Sequence, residues 1–174
     1  MSFQVGDCVV HPTHGVGHVV KMEKKKFFGN KERLYYEVNT DKCTVWVPVE
    51  DYEELGLRPL TPKTNLANYR DVLTAPPNEL DPDYRTRHAA VVGQLKEGSF
   101  QDLCEVVRDL TALSWEKPLN ESDSTTLQKA YDNLCAEWSV TSGLPRPDAI
   151  QEIDALLQTA QQKYGVKEID AETQ

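Results

Sequence analysis

The chain has 174 residues, of which 39% are hydrophobic and 27% are charged, and this balance is typical of a soluble globular protein. Its 28 acidic and 19 basic residues give a formal net charge of −9. That charge argues against sequence-independent adhesion to nucleic acid, which needs a cationic surface to release phosphate counterions. Docking on a protein partner fits the charge better.

Residues 1–60 have the pattern of short β-strands. FQVGDCVVHP and VGHVVKMEKKKF are separated by a THG turn, and GN signals the next turn. RLYYEVN and CTVWVPV follow, with a TDK turn between them. Four to five short strands at such spacing predict a small, strongly bent sheet or barrel. Pro48 has no N–H for a strand ladder, so we expect it at an edge or exit position.

After LGLRPLTP the hydrophobic period changes to that of helices. The predicted helices are KTNLANYRDVLT, DYRTRHAAVVGQLKE, SFQDLCEVVRDLTALSWEK, NESDSTTLQKAYDNLCAEWSV and DAIQEIDALLQTAQQKYG. Ser99 is a predicted N-cap, and the Pro-rich APPNELDPD connects the first two helices. From about residue 166 we expect a frayed tail.

The predicted architecture is therefore α+β with two domains. A small β-barrel covers residues 1–60, and a compact all-helical domain of about five helices covers residues 61–174. Residues 1–60 hold 8 basic and 9 acidic side chains, a net charge of −1. Residues 61–174 hold 11 basic and 19 acidic side chains, a net charge of −8.

The sequence also bears on the compartment. MSFQVGD lacks the basic region and apolar run of a signal peptide, and no apolar run approaches the roughly 20 residues that span a bilayer. The four cysteines form no CxxC pair, which favours reduced thiols. We therefore expect a cytoplasmic protein without membrane contact.

The first hairpin, VGDCVVHPTHGVGHVV, contains four potential metal ligands: Cys8, His11, His14 and His18. Cys8 and His11 are three positions apart on a predicted strand, so they point to opposite faces, and no second ligand pair follows. We therefore predict no metal, with His14 and Gly15 supplying the turn of a hairpin. A metal-binding module centred on these four residues is the alternative.

No catalytic motif is present. GVG lacks the third glycine, the following helix and the Lys-Ser/Thr of a phosphate loop. No cysteine, histidine or serine lies in a nucleophile signature such as GxSxG. The sequence therefore predicts neither an enzyme nor a small-molecule substrate.

Two surface candidates lie in the β region. Three lysines at 24–26 precede Phe27 and Phe28 at a hairpin tip, which fits either a grip on a partner or a charged edge that discourages strand pairing. Trp46 would point outward if its neighbours face the core, either as an interface anchor or beneath the helical domain.

A third candidate lies in the helical region. DYRTRH places Tyr84, Arg85, Arg87 and His88 at a helix start. An aromatic side chain there can wedge against bases and arginines can hold phosphates. An ordinary solvated first turn explains the same residues.

Three segments in order, F-x-V-G-D-x-V-V-x-P-x-H-G-V-G, VWVPVEDYEELGLRPL and EVVRDL, resemble the CarD/CdnL family of bacterial transcription regulators. The resemblance spans Phe3 to about Leu157. It implies a Tudor-like or SH3-like β domain that docks on the β subunit of RNA polymerase, similar to a module of transcription-repair coupling factor. It also implies a helical domain at the upstream edge of the promoter bubble, where family members insert a tryptophan into the minor groove and stabilise the open complex. No cofactor and no catalysis are implied.

Some positions depart from the family pattern. Lys25 matches a basic polymerase-contacting residue, whereas Trp46 stands where many members have an arginine. Tyr84 replaces the wedge tryptophan, so a weaker wedge is expected. Ser124 and Thr125 replace a basic pair, and losing phosphate contacts lowers DNA affinity. The predicted polymerase contacts are Lys25, Phe27, Trp46 and Pro48; the predicted DNA contacts are Tyr84, Arg85, Arg87, His88 and Lys129.

We therefore expect a monomer whose partners are the β subunit of RNA polymerase and, more weakly, promoter DNA. The alternative is a polymerase-binding adaptor whose acidic helical domain recruits another protein and makes little DNA contact. The acidic surface and the Ser124 and Thr125 substitutions motivate it.

Overall fold

The computed structural model describes residues 2–27 and 29–165. Over these residues the chain forms a five-stranded antiparallel sheet followed by five α-helices, so the predicted α+β architecture is confirmed. Phe28 and the tail predicted from about residue 166 lie outside the described residues.

The sheet has the strand order β4-β3-β2-β1-β5, which places β4 and β5 at its edges. Every neighbouring pair is antiparallel, and one face of the sheet packs around a small apolar core. The strands are β1 Cys8–His11, β2 Gly15–Lys25, β3 Arg33–Thr40, β4 Thr44–Pro48 and β5 Arg58–Pro59. The core residues are Val9, Val19, Tyr36, Val38, Val47 and Leu57.

A β-bulge divides β2. Val19 pairs with Val38 in the core, but Lys21 and not Val20 pairs with Glu37. One extra residue reverses which side chains face the core. Beyond the bulge the odd-numbered residues of β2 therefore lie on the outer face, and Lys25 is among them.

The helical region follows the predicted segments closely. A 3-10 turn at Lys63–Asn65 precedes α1, so this helix begins later than predicted. The Ser99 side chain accepts from the Asp102 N–H at 3.0 Å and caps α3 as predicted. The helices are α1 Leu66–Thr74, α2 Tyr84–Glu97, α3 Phe100–Glu116, α4 Glu121–Ser142 and α5 Arg146–Tyr164. Their core includes Leu73, Cys104, Val107, Leu110, Leu134, Trp138 and Ile153.

A buried carboxylate joins the two regions. Glu137 of α4 is 0% exposed and accepts from both terminal nitrogens of Arg58, at 2.7 and 2.8 Å. It also accepts from the Thr61 N–H at 3.1 Å and the Thr61 hydroxyl at 2.8 Å. We call Arg58, Thr61 and Glu137 the interdomain joint.

The β1–β2 turn makes a second contact with α4. The Asn133 Nδ2 donates to the Thr13 carbonyl at 3.3 Å, one helical turn before Glu137. Gly15 has a φ of 76°, and a Cβ added there would lie 2.8 Å from the Asn133 Oδ1. Glycine at position 15 is therefore required by the turn and by the helix packed against it.

We expect Glu137→Ala to destabilise the protein by about 3 kcal/mol, because it leaves the Arg58 guanidinium and the Thr61 N–H without their buried acceptor. Arg33→Ala is the matched control, since its side chain is 32% exposed and pairs with Asp51 at the surface at 2.6 Å; its effect should not exceed about 1 kcal/mol. Urea unfolding of both variants measures the difference. Equal effects would show that the joint contributes no more than a surface pair.

Candidate functional site

The β domain presents an aromatic and basic patch on its outer face. The Lys25 Nζ lies 4.5 Å from the Trp46 ring centroid, and the Phe27 and Trp46 centroids are 5.8 Å apart. Phe27 also packs edge-on against Tyr35 at 4.9 Å. Trp46 is 38% exposed and Phe27 is 45% exposed, so both rings remain accessible to a partner.

Strand register explains why these residues meet. Trp46 and Pro48 are two positions apart on β4, so their side chains share a face. They lie opposite Glu37 and Tyr35 of β3, while the bulge in β2 turns Lys25 to the same side. We define the outer-face patch as Lys25, Phe27, Trp46 and Pro48.

The patch borders a strand edge with free backbone groups. The Val49 N–H donates to the Leu34 carbonyl and the Thr40 N–H donates to the Cys43 carbonyl, at 3.0 and 2.9 Å. Because bonded and non-bonded pairs alternate in an antiparallel ladder, the backbone groups of Thr44 and Trp46 point away from β3. Within the described residues β4 has a strand neighbour on one side, so this edge can accept another strand.

The helical domain presents a second surface, where α2 and α4 begin. A shallow depression of about 700 Å³ brings together three predicted DNA contacts, Tyr84, His88 and Lys129. Tyr84 is 53% exposed, and the Arg85 Nε donates to its hydroxyl at 3.0 Å. The remaining lining residues are Asn120, Glu121, Ser122, Thr125 and Thr126. We call this depression the Tyr84 surface.

Arg87 does not lie on that surface. It is 4% exposed, and its Nε and Nη2 donate to the Asp123 Oδ2 at 3.0 and 2.7 Å. Arg85 and Arg87 are two positions apart on a helix, so they point about 200° away from each other. The predicted phosphate contact therefore fits Arg85, whereas burial withdraws the Arg87 guanidinium from a ligand.

His11 of the opening hairpin has structural partners in the turn that follows it. The His11 Nδ1 accepts from the N–H groups of Thr13 and His14 at 3.1 and 3.2 Å, and Cys8 lies opposite His18 in the strand register. Among the described residues no group of three or more His, Cys, Asp or Glu side chains is arranged to hold a metal ion.

Three residues with structural roles near the two surfaces were not predicted from the sequence: Asp123, Asn133 and Glu137. Asp123 had a local signal in the sequence, since it lies three residues after Asn120, the spacing of a helix cap. In the structure its N–H donates to the Asn120 side chain at 2.8 Å. Glu137 had another, because it is a charged residue beside the apolar Leu134 and Trp138, which suggests a buried partner. Neither signal identifies the partner residue, because Arg87, which binds Asp123, and Arg58, which binds Glu137, are distant in sequence.

Comparison with known proteins agrees with this two-part arrangement. Residues 3–61 match the family profile described as the CarD-like/TRCF RID domain. Residues 69–154 match the profile described as the CarD C-terminal domain. A Bacillus subtilis (strain 168) protein named "Putative transcription factor YdeB" is 30% identical over 143 residues, which cover 82% of this chain and 94% of that protein.

The chain belongs to the CarD-like family. This CarD-like protein is a transcription regulator that interacts with RNA polymerase, and its family is not a known class of enzymes. The β domain, with the fold expected of a Tudor-like module, is the part that matches the CarD-like/TRCF RID domain. No helix among the described residues has the length and apolarity to cross a membrane.

The free energy of unfolding should fall as the pH drops from about 6.5 to about 4 in part because of His11. Burial, and secondly His14, lowers the pKa of His11 from its ordinary value of 6.5 to about 4. The folded protein therefore binds the proton less well than the unfolded chain across this window. Protonated Nδ1 would also face the two N–H donors of the turn.

His11→Asn tests this effect, because asparagine can accept the same turn N–H groups and does not titrate. Urea unfolding at several pH values should show a shallower decline for the variant than for the wild type. Parallel declines would assign the acid sensitivity to other groups.

Proposed function

We propose that this CarD-like protein docks on the β subunit of RNA polymerase through the outer-face patch and the β4 edge. We further propose that its Tyr84 surface contacts promoter DNA at the upstream edge of the bubble and stabilises the open complex. The observation that carries the proposal is that three members of each predicted residue set lie together: Lys25, Phe27 and Trp46 form one patch, while Tyr84, His88 and Lys129 line one depression.

The β4 edge supports docking by strand addition. The N–H groups of Thr44 and Trp46 offer backbone hydrogen bonds to a partner strand, and Pro48 limits pairing at the strand end because it has no N–H. The Trp46 ring supplies apolar area beside that edge, and Lys25 adds a positive charge above the ring at 4.5 Å. Backbone pairing would give affinity, and these side chains would select the partner.

The position of Tyr84 supports a role as a wedge. It is the first residue of α2, half of its surface is exposed, and Arg85 lies 5.6 Å from its ring centroid. An exposed aromatic ring can stack on an unpaired base, with the arginine near a phosphate. Such a contact is stronger with melted DNA than with the closed duplex, so it shifts the population toward the open complex.

The DNA contact is expected to be weak without the polymerase. Arg85, His88 and Lys129 are the basic side chains assigned to it, and Glu121 lines the same depression. Docking of the β domain raises the effective concentration of the Tyr84 surface near the promoter. A weak contact can therefore act once the protein is bound to polymerase.

Glu121 also favours a second candidate function. An acidic residue in the depression, together with Ser124 and Thr125 on the same helix, fits recruitment of a basic protein better than a phosphate contact. Under this adaptor function, the complex with polymerase would resist salt and leave no promoter-dependent footprint.

Trp46→Ala should weaken binding to RNA polymerase by about 30-fold, because loss of a central aromatic anchor typically costs about 2 kcal/mol. Leu144→Ala is the control, since Leu144 is 39% exposed, almost as much as Trp46 at 38%, but lies in the helical domain. Binding of both variants to purified polymerase is measured by titration. An unchanged affinity for Trp46→Ala would remove this residue from the interface.

Tyr84→Ala should shorten the lifetime of the open complex by about fivefold or more, because stacking of a base on an aromatic side chain contributes about 1 kcal/mol or more. Tyr84→Trp should lengthen it, since indole offers a larger face. Both variants should bind polymerase as the wild type does. If wild type and Tyr84→Ala give the same lifetime at saturating protein, the wedge mechanism is wrong.

A further inference from the structure

The buried guanidinium of Arg87 holds three segments together. Its Nη1 donates to the carbonyls of Asp81 and Pro82 at 2.8 and 3.3 Å, while Nε and Nη2 donate to Asp123. All three nitrogens therefore have acceptors within the protein. The side chain connects the end of the Pro-rich connector, the first turn of α2 and the first turn of α4.

Tyr84 lies between the points that Arg87 holds. It lies two residues after Pro82 of the connector and precedes Arg87 by three residues on α2. Asp83 caps the helix by accepting from the Thr86 N–H at 3.0 Å, which fixes the helix start but not its position against α4. The contact between Arg87 and Asp123 fixes the position of α2 against α4, and both side chains are buried, with 4% and 3% of their surface exposed.

A second contact between α2 and α4 lies at the surface. The His88 Nδ1 and the Ser122 Oγ are 3.0 Å apart, and this contact is exposed to solvent. A solvent-exposed contact restrains a helix less than a buried, charge-assisted contact in which two N–H groups donate to one carboxylate oxygen. Arg87 and Asp123 are therefore the stronger determinant of where Tyr84 lies.

We propose that Arg87 and Asp123 form a positioning pair that sets the Tyr84 side chain against the start of α4, so that Arg87 acts through Tyr84 and not by contact with DNA. This inference depends on the proposed function for its effect on the open complex. It gives the buried arginine a role that its neighbour Arg85, which donates to the Tyr84 hydroxyl at the surface, does not have.

The decisive variant is Asp123→Ala, because the two roles predict opposite results. If Arg87 contacts phosphate, removing the nearby negative charge frees its guanidinium, and the open complex should live longer. If the pair positions Tyr84, the same substitution should shorten the lifetime as much as Arg87→Ala does. The double substitution should then be no worse than either single one, because both disrupt one contact.

Salt dependence supplies an independent readout. Loss of a phosphate contact lowers the slope of log affinity against log salt by about one. Arg85→Ala is expected to lower that slope. Arg87→Ala should shorten the open-complex lifetime but leave the salt slope unchanged. A reduced slope for Arg87→Ala would overturn the positioning role.

Some variants of a buried ion pair fail to fold, so a double substitution with apolar residues of similar size is included. Arg87→Met with Asp123→Leu removes the pair without leaving a buried charge, and such replacements often preserve stability. Thermal unfolding should be close to that of the wild type, and polymerase affinity should be unchanged. The open-complex lifetime should nevertheless fall to that of Tyr84→Ala; a wild-type lifetime would contradict the proposal.

A measurement on the free protein separates this inference from the proposed function. Fluorotyrosine placed at position 84 should change its ¹⁹F chemical shift or linewidth in the Met/Leu double variant, and Ser122→Ala should change it less. An unchanged signal in the double variant would overturn the positioning role even if Tyr84 acts as a wedge. A changed signal combined with no effect of Tyr84→Ala on lifetime would instead overturn the wedge alone.

Discussion

Arg58 reaches from the last strand of the sheet to Glu137 in the second half of α4, and there it donates two hydrogen bonds to a carboxylate that solvent does not reach. A buried carboxylate is unfavourable unless its oxygens are paired. Separating the sheet from α4 would leave both Glu137 and the Thr61 N–H without partners. The joint therefore holds the two domains in one relative orientation.

Helix α4 connects this joint to the Tyr84 surface. Its 22 residues form a rod of about 33 Å. Asp123 and Lys129 lie in its first half, while Asn133 and Glu137 contact the β domain in its second half. One rigid element thus extends from the helix start beside Tyr84 to the residues that fix the sheet.

This arrangement matters for the proposed function, in which the contact with DNA is weak. A helical region of net charge −8 gains little from general attraction to DNA, so the placement of a few side chains matters more. Under the proposed function, a fixed orientation means that docking of the β domain also determines where Tyr84 lies. The gain in effective concentration is greatest when a tethered contact needs no further ordering.

Local features of this fold could be predicted from the sequence. Ser99 caps α3, Gly98 ends α2 with a φ of 76°, and the change of hydrophobic period marks the passage from strands to helices. Each depends on residues close in the chain. The family motifs likewise identified Trp46 and Tyr84, although the polymerase and DNA contacts assigned to them are proposals.

The rest depends on pairs that are distant in sequence. The DYRTRH segment made Arg85 and Arg87 look equivalent, and only the approach of Asp123, 36 residues away, distinguishes the buried from the exposed arginine. Similarly, the bulge at Val20 decides which face Lys25 occupies, and its position follows from pairing with β3 and not from the β2 sequence. The sequence predicts Gly15 as a turn residue, but it does not show that Asn133 of α4 leaves no room for a side chain at this position.

The interdomain joint holds the outer-face patch and the Tyr84 surface in one rigid body. Residual dipolar couplings of backbone amides in the free, intact protein test this most directly. A single alignment tensor should fit the amides of the sheet and of the five helices together, with the two domains oriented as in the structure. Separate tensors for the sheet and the helices would contradict the account.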